Sequence, residues 1–204
     1  MLSNINEYLA SDIEKTLGKD RISVIESTDP VSIKISTSDL IPLLNLLKSN
    51  KLYDFKTLID IFGVDYPSNS KRFEVNYSLL SIKHNYRVNL KIEVAEDEEV
   101  PSIVGMYNAA GWFEREVWDM YGVKFTGNSD LRRILTDYEF EGHPLRKDFP
   151  LTGHKEVRYD FEKKKIEYKD ITLTQEYRNF DFKSPWKGTQ YKIQKEPEKT
   201  EEKQ

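Results

Sequence analysis

The chain contains no cysteine. That absence excludes disulfides, cysteine-ligated iron–sulfur clusters and a thiol nucleophile, so any redox centre the chain serves belongs to another chain. A basic excess is missing too. Its 31 Lys and Arg face 35 Asp and Glu, a net charge of −4, and no broad positive field exists to attract nucleic acid or anionic lipid. No apolar run approaches the length needed to cross a bilayer, the best being Leu40 to Leu47, so contact with a membrane is expected only through partners. The N-terminal stretch lacks an apolar h-region and carries Glu7, Asp12, Glu14 and Asp20, which predicts neither a signal nor a transit peptide. No GxGxxG or GxxxxGK(S/T) fingerprint occurs. His143 and His154 lie near Glu141 and Asp148 without HxxxH or HExxH spacing, so no metal site is expected. There is no internal repeat.

What is present bounds one core. At 204 residues and 38% apolar content, the chain can bury a single sizeable core with appendages. Ile5, Tyr8, Leu9, Ile13 and Leu17 have helical spacing and stop at Gly18. Ile22 to Glu26 and Val31 to Ser36 alternate apolar with polar around Asp29-Pro30, a predicted strand pair. Ser38 or Asp39 is placed to cap a helix ending near Ser49, with Leu40, Leu43, Leu44 and Leu47 as its buried stripe and Pro42 in its first turn. Phe55 to Asp65 is ambiguous and is read as a short helix followed by a strand. Phe73, Val75, Tyr77 and Leu79, then Val88, Leu90, Ile92 and Val94, alternate across a turn at His84-Asn85, which predicts an antiparallel hairpin with one buried face.

The densest stretch runs from Trp112 to His154. A helix of about five turns is predicted ahead of and through its start, from Pro101 at the first turn to Gly122 as the left-handed stop. At roughly 100° per residue, Ile103, Met106, Tyr107, Ala110, Phe113 and Val117, with Met120 and Tyr121, share one arc that faces a core. Glu114 falls inside that arc, so its carboxylate is expected out of water and in need of a cation or several donors. The alternative is a carboxylate shielded by Trp118 and Tyr107 that snorkels to solvent. The opposite arc carries Trp112, Arg115, Glu116 and Asp119; Arg115 and Asp119 are spaced to pair, and a Trp among them suggests that a partner covers this face.

Beyond this helix neither helical nor strand period persists, apart from one helical turn expected at Leu131 to Leu135. Arg132, Arg133 and Arg146 lie among Asp130, Asp137, Glu139, Glu141 and Asp148, and guanidinium–carboxylate pairs can hold an irregular loop. Gly142 and Pro144 fix a turn at His143, which either meets a partner or satisfies backbone carbonyls. A hydrolase using His143 with Asp137 or Asp148 and a nucleophile such as Ser129 or Thr152 has no supporting alignment in the sequence. The resulting division is an α+β core over 1–125, a charged docking loop over 126–160, an extended arm over 161–193 and a disordered tail over 194–204. The fold class expected is α+β, with a mixed sheet that includes the hairpin, helices packed on it, and the long C-terminal arm.

Four blocks carry a resemblance: ERExxDMYG from Glu114, DLRRIL from Asp130, EGHPLRKDFPL from Glu141 and EVRYD from Glu156. They resemble the signature of the 30 kDa subunit of respiratory complex I, the proton-pumping NADH:ubiquinone oxidoreductase, and the likeness extends through TQEYRNFDFKSPW at Thr174 to Trp186. The resemblance implies a core structural subunit of the hydrophilic arm, in the module that delivers electrons to quinone. It implies no cofactor in this chain, the iron–sulfur clusters, FMN and ubiquinone being bound by partner subunits. Among those partners would be the subunit with the terminal cluster and the large subunit that forms the quinone cavity. Trp112, Glu114, Arg115, Glu116, Asp119, Arg132, Arg133, His143, Arg146 and Asp148 are then the interface or structural residues. The family usually has His-Pro before DLRRIL; Asn128 and Ser129 stand there instead. Richness in Lys, Ile, Asn and Tyr points to the matrix face of the mitochondrial inner membrane, with the cytoplasmic side of a bacterial inner membrane as the alternative. A photosynthetic NAD(P)H-type dehydrogenase subunit, a free-standing enzyme using His143 with Asp148, and a scaffold outside respiration are the other readings.

Overall fold

In the computed structural model, residues 30–172 are described continuously, together with 9, 11–13, 15, 18 and 22–25. The predicted extreme tail lies outside these residues, as does the arm beyond Thr172. The centre is a five-stranded mixed sheet, β1 (Ile22–Ile25), β2 (Val31–Ile35), β3 (Thr57–Asp65), β4 (Phe73–Ser81) and β5 (Tyr86–Val94), in spatial order β1-β2-β5-β4-β3. All neighbours are antiparallel except β2 and β5.

The hairpin between β4 and β5 forms where alternation places it. Phe73 pairs with Val94 and Leu79 with Val88, and the apolar set of both strands is buried on one face. Asn85 takes the left-handed conformation that the tight turn needs (φ 54°). The outward set is polar: Lys34 bonds Glu93 at 2.5 Å and Ser78 bonds Asn89 at 2.8 Å. One face is therefore committed to the core.

Helix α1 (Leu40–Ser49) covers that face with Leu40, Leu43, Leu44 and Leu47, all fully buried, each contributing on the order of 1.5–3 kcal/mol of burial. Its start differs from expectation. A 3₁₀ turn, Thr37–Asp39, leads in, and the Asp39 carboxylate accepts the Ser36 hydroxyl at 2.7 Å instead of capping the helix. Leu9 and Ile13, both helical, join the same core.

Two readings are corrected. Thr57–Asp65 is a single edge strand with a bulge between Leu58 and Asp60, with no helix before it. Pairing with β4 decides this; the bulge and Gly63 had blurred the strand period. The long helix begins later than Pro101. Pro101 ends the short strand β6 (Glu99–Pro101), which pairs in parallel with β7 (Lys124–Thr126), and α2 spans only Ala110–Tyr121. Residues between are hydrogen-bonded turns, Tyr107 N–H reaching the Ile103 carbonyl at 2.9 Å. Turns of helical sense keep Ile103 and Tyr107 in the arc that the periodicity identified, and both are buried. Gly122 ends the helix with φ 82°, as expected.

After β7 the chain runs without regular structure to a second hairpin, β8 (Lys155–Asp160) with β9 (Lys165–Asp170). This takes in the end of the expected loop and the start of the expected arm, so the arm begins as a strand; cross-strand bonds supply the order. No helical turn forms at Leu131 to Leu135, because the backbone there closes around a carboxylate instead.

Candidate docking surface around the second helix

Glu114 projects from α2 into the space between β6, β7 and the sheet, and is fully buried. Among the described residues its carboxylate has no cation beside it; it accepts the Ile103 N–H, the Ser102 hydroxyl and the Asn128 amide, each at 2.8 Å. Burial pushes its pKa above the usual carboxylate value, and those three donors oppose the shift without cancelling it. The buried reading of Glu114 is right, with donors in place of a counter-ion, and the snorkelling alternative is excluded. Asn128, one of the two residues that replace the His-Pro pair, is one of these donors.

The opposite face of α2 is covered by the chain itself. Arg115 and Asp119 are both buried and do not pair with each other. Arg115 donates to the carbonyls of Arg132 (3.0 Å) and Arg133 (2.9 Å) and stacks over Trp112 at 5.2 Å. Asp119 Oδ2 accepts the consecutive N–H groups of Ile134, Leu135 and Thr136 at 2.9, 2.8 and 2.9 Å; Oδ1 accepts the Arg133 guanidinium at 2.7 Å and the Thr136 hydroxyl at 2.5 Å. Burial alone would raise the Asp119 pKa. The Thr136 hydroxyl and N–H, the Ile134 N–H and Arg133 outweigh it and hold the carboxyl far below its usual range. The expected pairing of Arg115 with Asp119 lost because the loop offers each a stronger set of partners. Trp112 and Glu116 remain exposed, Trp112 at 63%.

The turn at Gly142 to Arg146 closes the end of α2. His143 Nδ1 donates to the Asp119 carbonyl at 3.0 Å, Leu145 N–H to Met120 at 3.1 Å, and Arg146 Nε to Tyr121 at 2.6 Å. These carbonyls have no partner inside the helix, and a guanidinium sits favourably at the negative end of its dipole. The fit is close. A Cβ on Gly122 would stand 2.5 Å from the Arg146 guanidinium and 2.7 Å from the His143 ring. His143 therefore satisfies backbone, and burial lowers its pKa. Arg133 adds a bond to the Gly142 carbonyl at 3.1 Å and lies between the Trp118 and Phe140 rings, 5.6 Å from each.

A third clamp involves residues that sequence reasoning passed over. Arg72 forms a two-pronged pair with the buried Asp65 (2.7 and 2.9 Å) and reaches Asp148 at 2.8 Å. Asp65 also accepts the Lys147 N–H at 2.7 Å, and Arg146 bonds Glu96 at 2.5 Å. Asp65 and Arg72 flank the β3–β4 turn, a charge pair seven positions apart that was the available signal. The Arg72 guanidinium holds both carboxyls below their usual range. Asp148 is thus committed to Arg72 and does not address His143, so the two do not form the acid–base pair of a free-standing enzyme. Arg132 lies at the rim, paired with Asp130. Among the described residues, no group of His, Asp and Glu is placed to hold a metal ion.

The geometry is that of a loop, 130–151, clamped to the end of a helix, with large apolar side chains exposed on its outer side among carboxylates such as Asp137, Glu139 and Glu141. Leu135, Tyr138 and Leu151 are 64, 77 and 82% exposed. A family model described as "Respiratory-chain NADH dehydrogenase, 30 Kd subunit" matches residues 33–155, more than half of the chain. The chain belongs to this family. A subunit of the NADH-quinone oxidoreductase of Paramagnetospirillum magneticum is 48% identical over 92% of this chain and 92% of its own length. Its counterpart in the NADH-quinone oxidoreductase of Agrobacterium fabrum is 51% identical over 90% and 92%. Among solved structures, a chain of the membrane-bound sulfane sulfur reductase, an archaeal respiratory membrane complex, superposes with a TM-score of 0.59 at 25% identity, covering 71% of this chain and 85% of that one. The family match spans α1, strands β3 to β5 with most of β2, α2 and the whole clamped loop, so the organising helix lies inside the family's shared region.

Proposed function

We propose that this subunit of respiratory NADH dehydrogenase is a structural, cofactor-free member of the peripheral arm, which holds cluster-bearing and quinone-binding neighbours in register. The observation that carries the reading is the clamped loop. The Arg115, Asp119, Arg133, His143 and Arg146 side chains beneath it are all bonded within the chain, while Leu135, Tyr138 and Leu151 stand exposed on its outer side. Ordering a loop so fully lowers the entropy that a partner must overcome on binding. In this reading the iron–sulfur clusters, FMN and ubiquinone reside in partner subunits, and the neighbours are the terminal-cluster subunit and the large quinone-cavity subunit. Absence of cysteine supports it, since no thiolate can ligate a cluster here. Proton translocation is then a property of the assembly. No helix among the described residues is long and apolar enough to cross a membrane, which fits attachment through partners. The relatives compared are bacterial, which supports the cytoplasmic side of a bacterial membrane; the mitochondrial matrix face rests on composition.

The test is recovery. Membranes solubilised gently should yield this chain, through a tag, in a very large particle with iron–sulfur absorbance and NADH:quinone reductase activity. A small particle with neither would overturn the proposal.

A further inference from the structure

The second hairpin is amphipathic in an unusual position. Register places Val157 opposite Tyr168 and Tyr159 opposite Ile166, so these four side chains share one face, extended at the turn by Phe161 packed edge-on to Tyr159 at 5.1 Å. All five are bare: Val157 54%, Tyr159 47%, Phe161 83%, Ile166 59% and Tyr168 46% exposed. The other face needs nothing. There Glu156 stands opposite Lys169, Arg158 opposite Glu167 and Asp160 opposite Lys165, each cation matched by an anion. A lone two-stranded hairpin is marginal in water unless one face is covered, and only the apolar face remains to be covered.

The apolar face does not end at the strand. Val157 and Tyr168 line a cleft of about 110 Å³ floored by Phe140 and Phe149, whose rings lie 5.8 Å apart. The polar walls of the cleft are mainly acidic, with Asp137, Glu139 and Glu141 against one lysine, Lys155. Asp137 accepts the Tyr168 hydroxyl at 2.9 Å and so ties hairpin to loop. An apolar floor with carboxylate walls selects its occupant by charge. It disfavours an anionic lipid surface and a second copy of this chain, whose net charge is also negative.

We propose that the apolar face of the β8–β9 hairpin, with the acidic cleft beside it, is the seat of a segment from another subunit that inserts an aliphatic or aromatic side chain flanked by Lys or Arg. This rests on the reading of the chain as an assembled subunit. It adds which surface docks and what chemistry the partner segment presents. The clamped loop supplies a rigid floor, and the hairpin gains its missing cover from the partner.

A photo-crosslinking phenylalanine analogue at Phe161, and separately at Ile166, tests this in the intact complex purified through the same tag. Both positions are exposed, so neither replacement disturbs the core. The expected product is a crosslink to one other subunit, at a peptide with Lys or Arg within a few residues of the attachment point. A crosslink to residues 173–204 of this chain, to a second copy or to lipid, or no crosslink at either position, overturns the proposal. In parallel, Val157→Asp should cut recovery of the complex by about ten-fold or more, the effect of one charge set in an apolar contact, while Arg158→Ala on the neutralised face stays within about two-fold. Equal losses for both variants would also overturn it. If the chain is absent from any large particle, the subunit reading itself has failed; if it is present but uncrosslinked, only the docking site has.

Discussion

Two buried carboxylates on one helix, five residues apart, meet opposite fates. Asp119 is ringed by donors and held ionised, whereas Glu114 has three donors and deep burial that favours its protonated form. Their effects on stability run in opposite directions with pH. Asp119, with a folded pKa below its ordinary 3.8, contributes stability that is present above that value and is lost as pH falls through the folded pKa. Glu114, raised from 4.5, adds a cost that is absent below 4.5 and grows as pH rises toward its folded pKa. Glu114→Gln should therefore gain on the native protein as pH rises above 4.5 in urea titrations, with the two nearest at pH below 4.5. Glu114→Ala leaves the Ser102, Ile103 and Asn128 donors unpaired and should lose about 2–4 kcal/mol below pH 4.5, a loss that shrinks as pH rises but leaves Ala less stable than Gln throughout. If Gln and Ala behave alike, the donor account is wrong. Asp119→Asn should cost about 3–5 kcal/mol near neutrality, since it leaves Arg133 without its charge partner and sets an amide against backbone N–H groups. The sequence marked Glu114 as buried but read Asp119 as the partner of Arg115, and it gave the true partners of neither: periodicity places a residue on a face, and only tertiary folding brings 102, 128 and 134–136 to it.

At the level of elements, legibility followed the strength of the period. The β4–β5 hairpin and the leucine stripe of α1 were plain, because burial on one face repeats over many residues. The edge strand β3 was obscured by its bulge, and by Gly63, whose missing side chain makes room for Tyr121; a Cβ there would lie 2.7 Å from that ring. The start of α2 was placed too early because the turns over 102–109 mimic helical spacing. The end of α2 is the element on which the loop depends. Gly122→Ala would force a side chain at φ 82° into Arg146 and His143, and should lower stability by about 2–4 kcal/mol, read as a drop in melting temperature. The same change at Gly105, where nothing lies within 4 Å, should be tolerated. Equal effects at the two glycines would contradict the cap described here.

At the scale of the molecule, the five-stranded sheet and α2 support a loop and a hairpin that each expose large apolar side chains. Three of the four sequence blocks that carry the family resemblance coincide with the clamp, the fourth lying in β8: Glu114, Asp119, Arg133, His143 and Arg146 lie in the three, and each bonds within the chain. The sequence placed Glu114 inward; what it did not show is that Asp119, Arg133, His143 and Arg146 also turn to partners within the chain, with exposed apolar residues between them. Loss of a clamp should then act on assembly and not on chemistry. Arg146→Ala frees the Tyr121 carbonyl and Glu96, loosens the turn, and reduces the amount of complex without altering what the remaining complex does.

The most direct measurement is NADH:quinone reductase activity per assembled particle in Arg146→Ala membranes, beside the amount of particle resolved by size. The account predicts several-fold less particle with unchanged activity in each. A full complement of particles with reduced turnover would contradict it, and would move Arg146 and the loop from holding the neighbours to taking part in their chemistry.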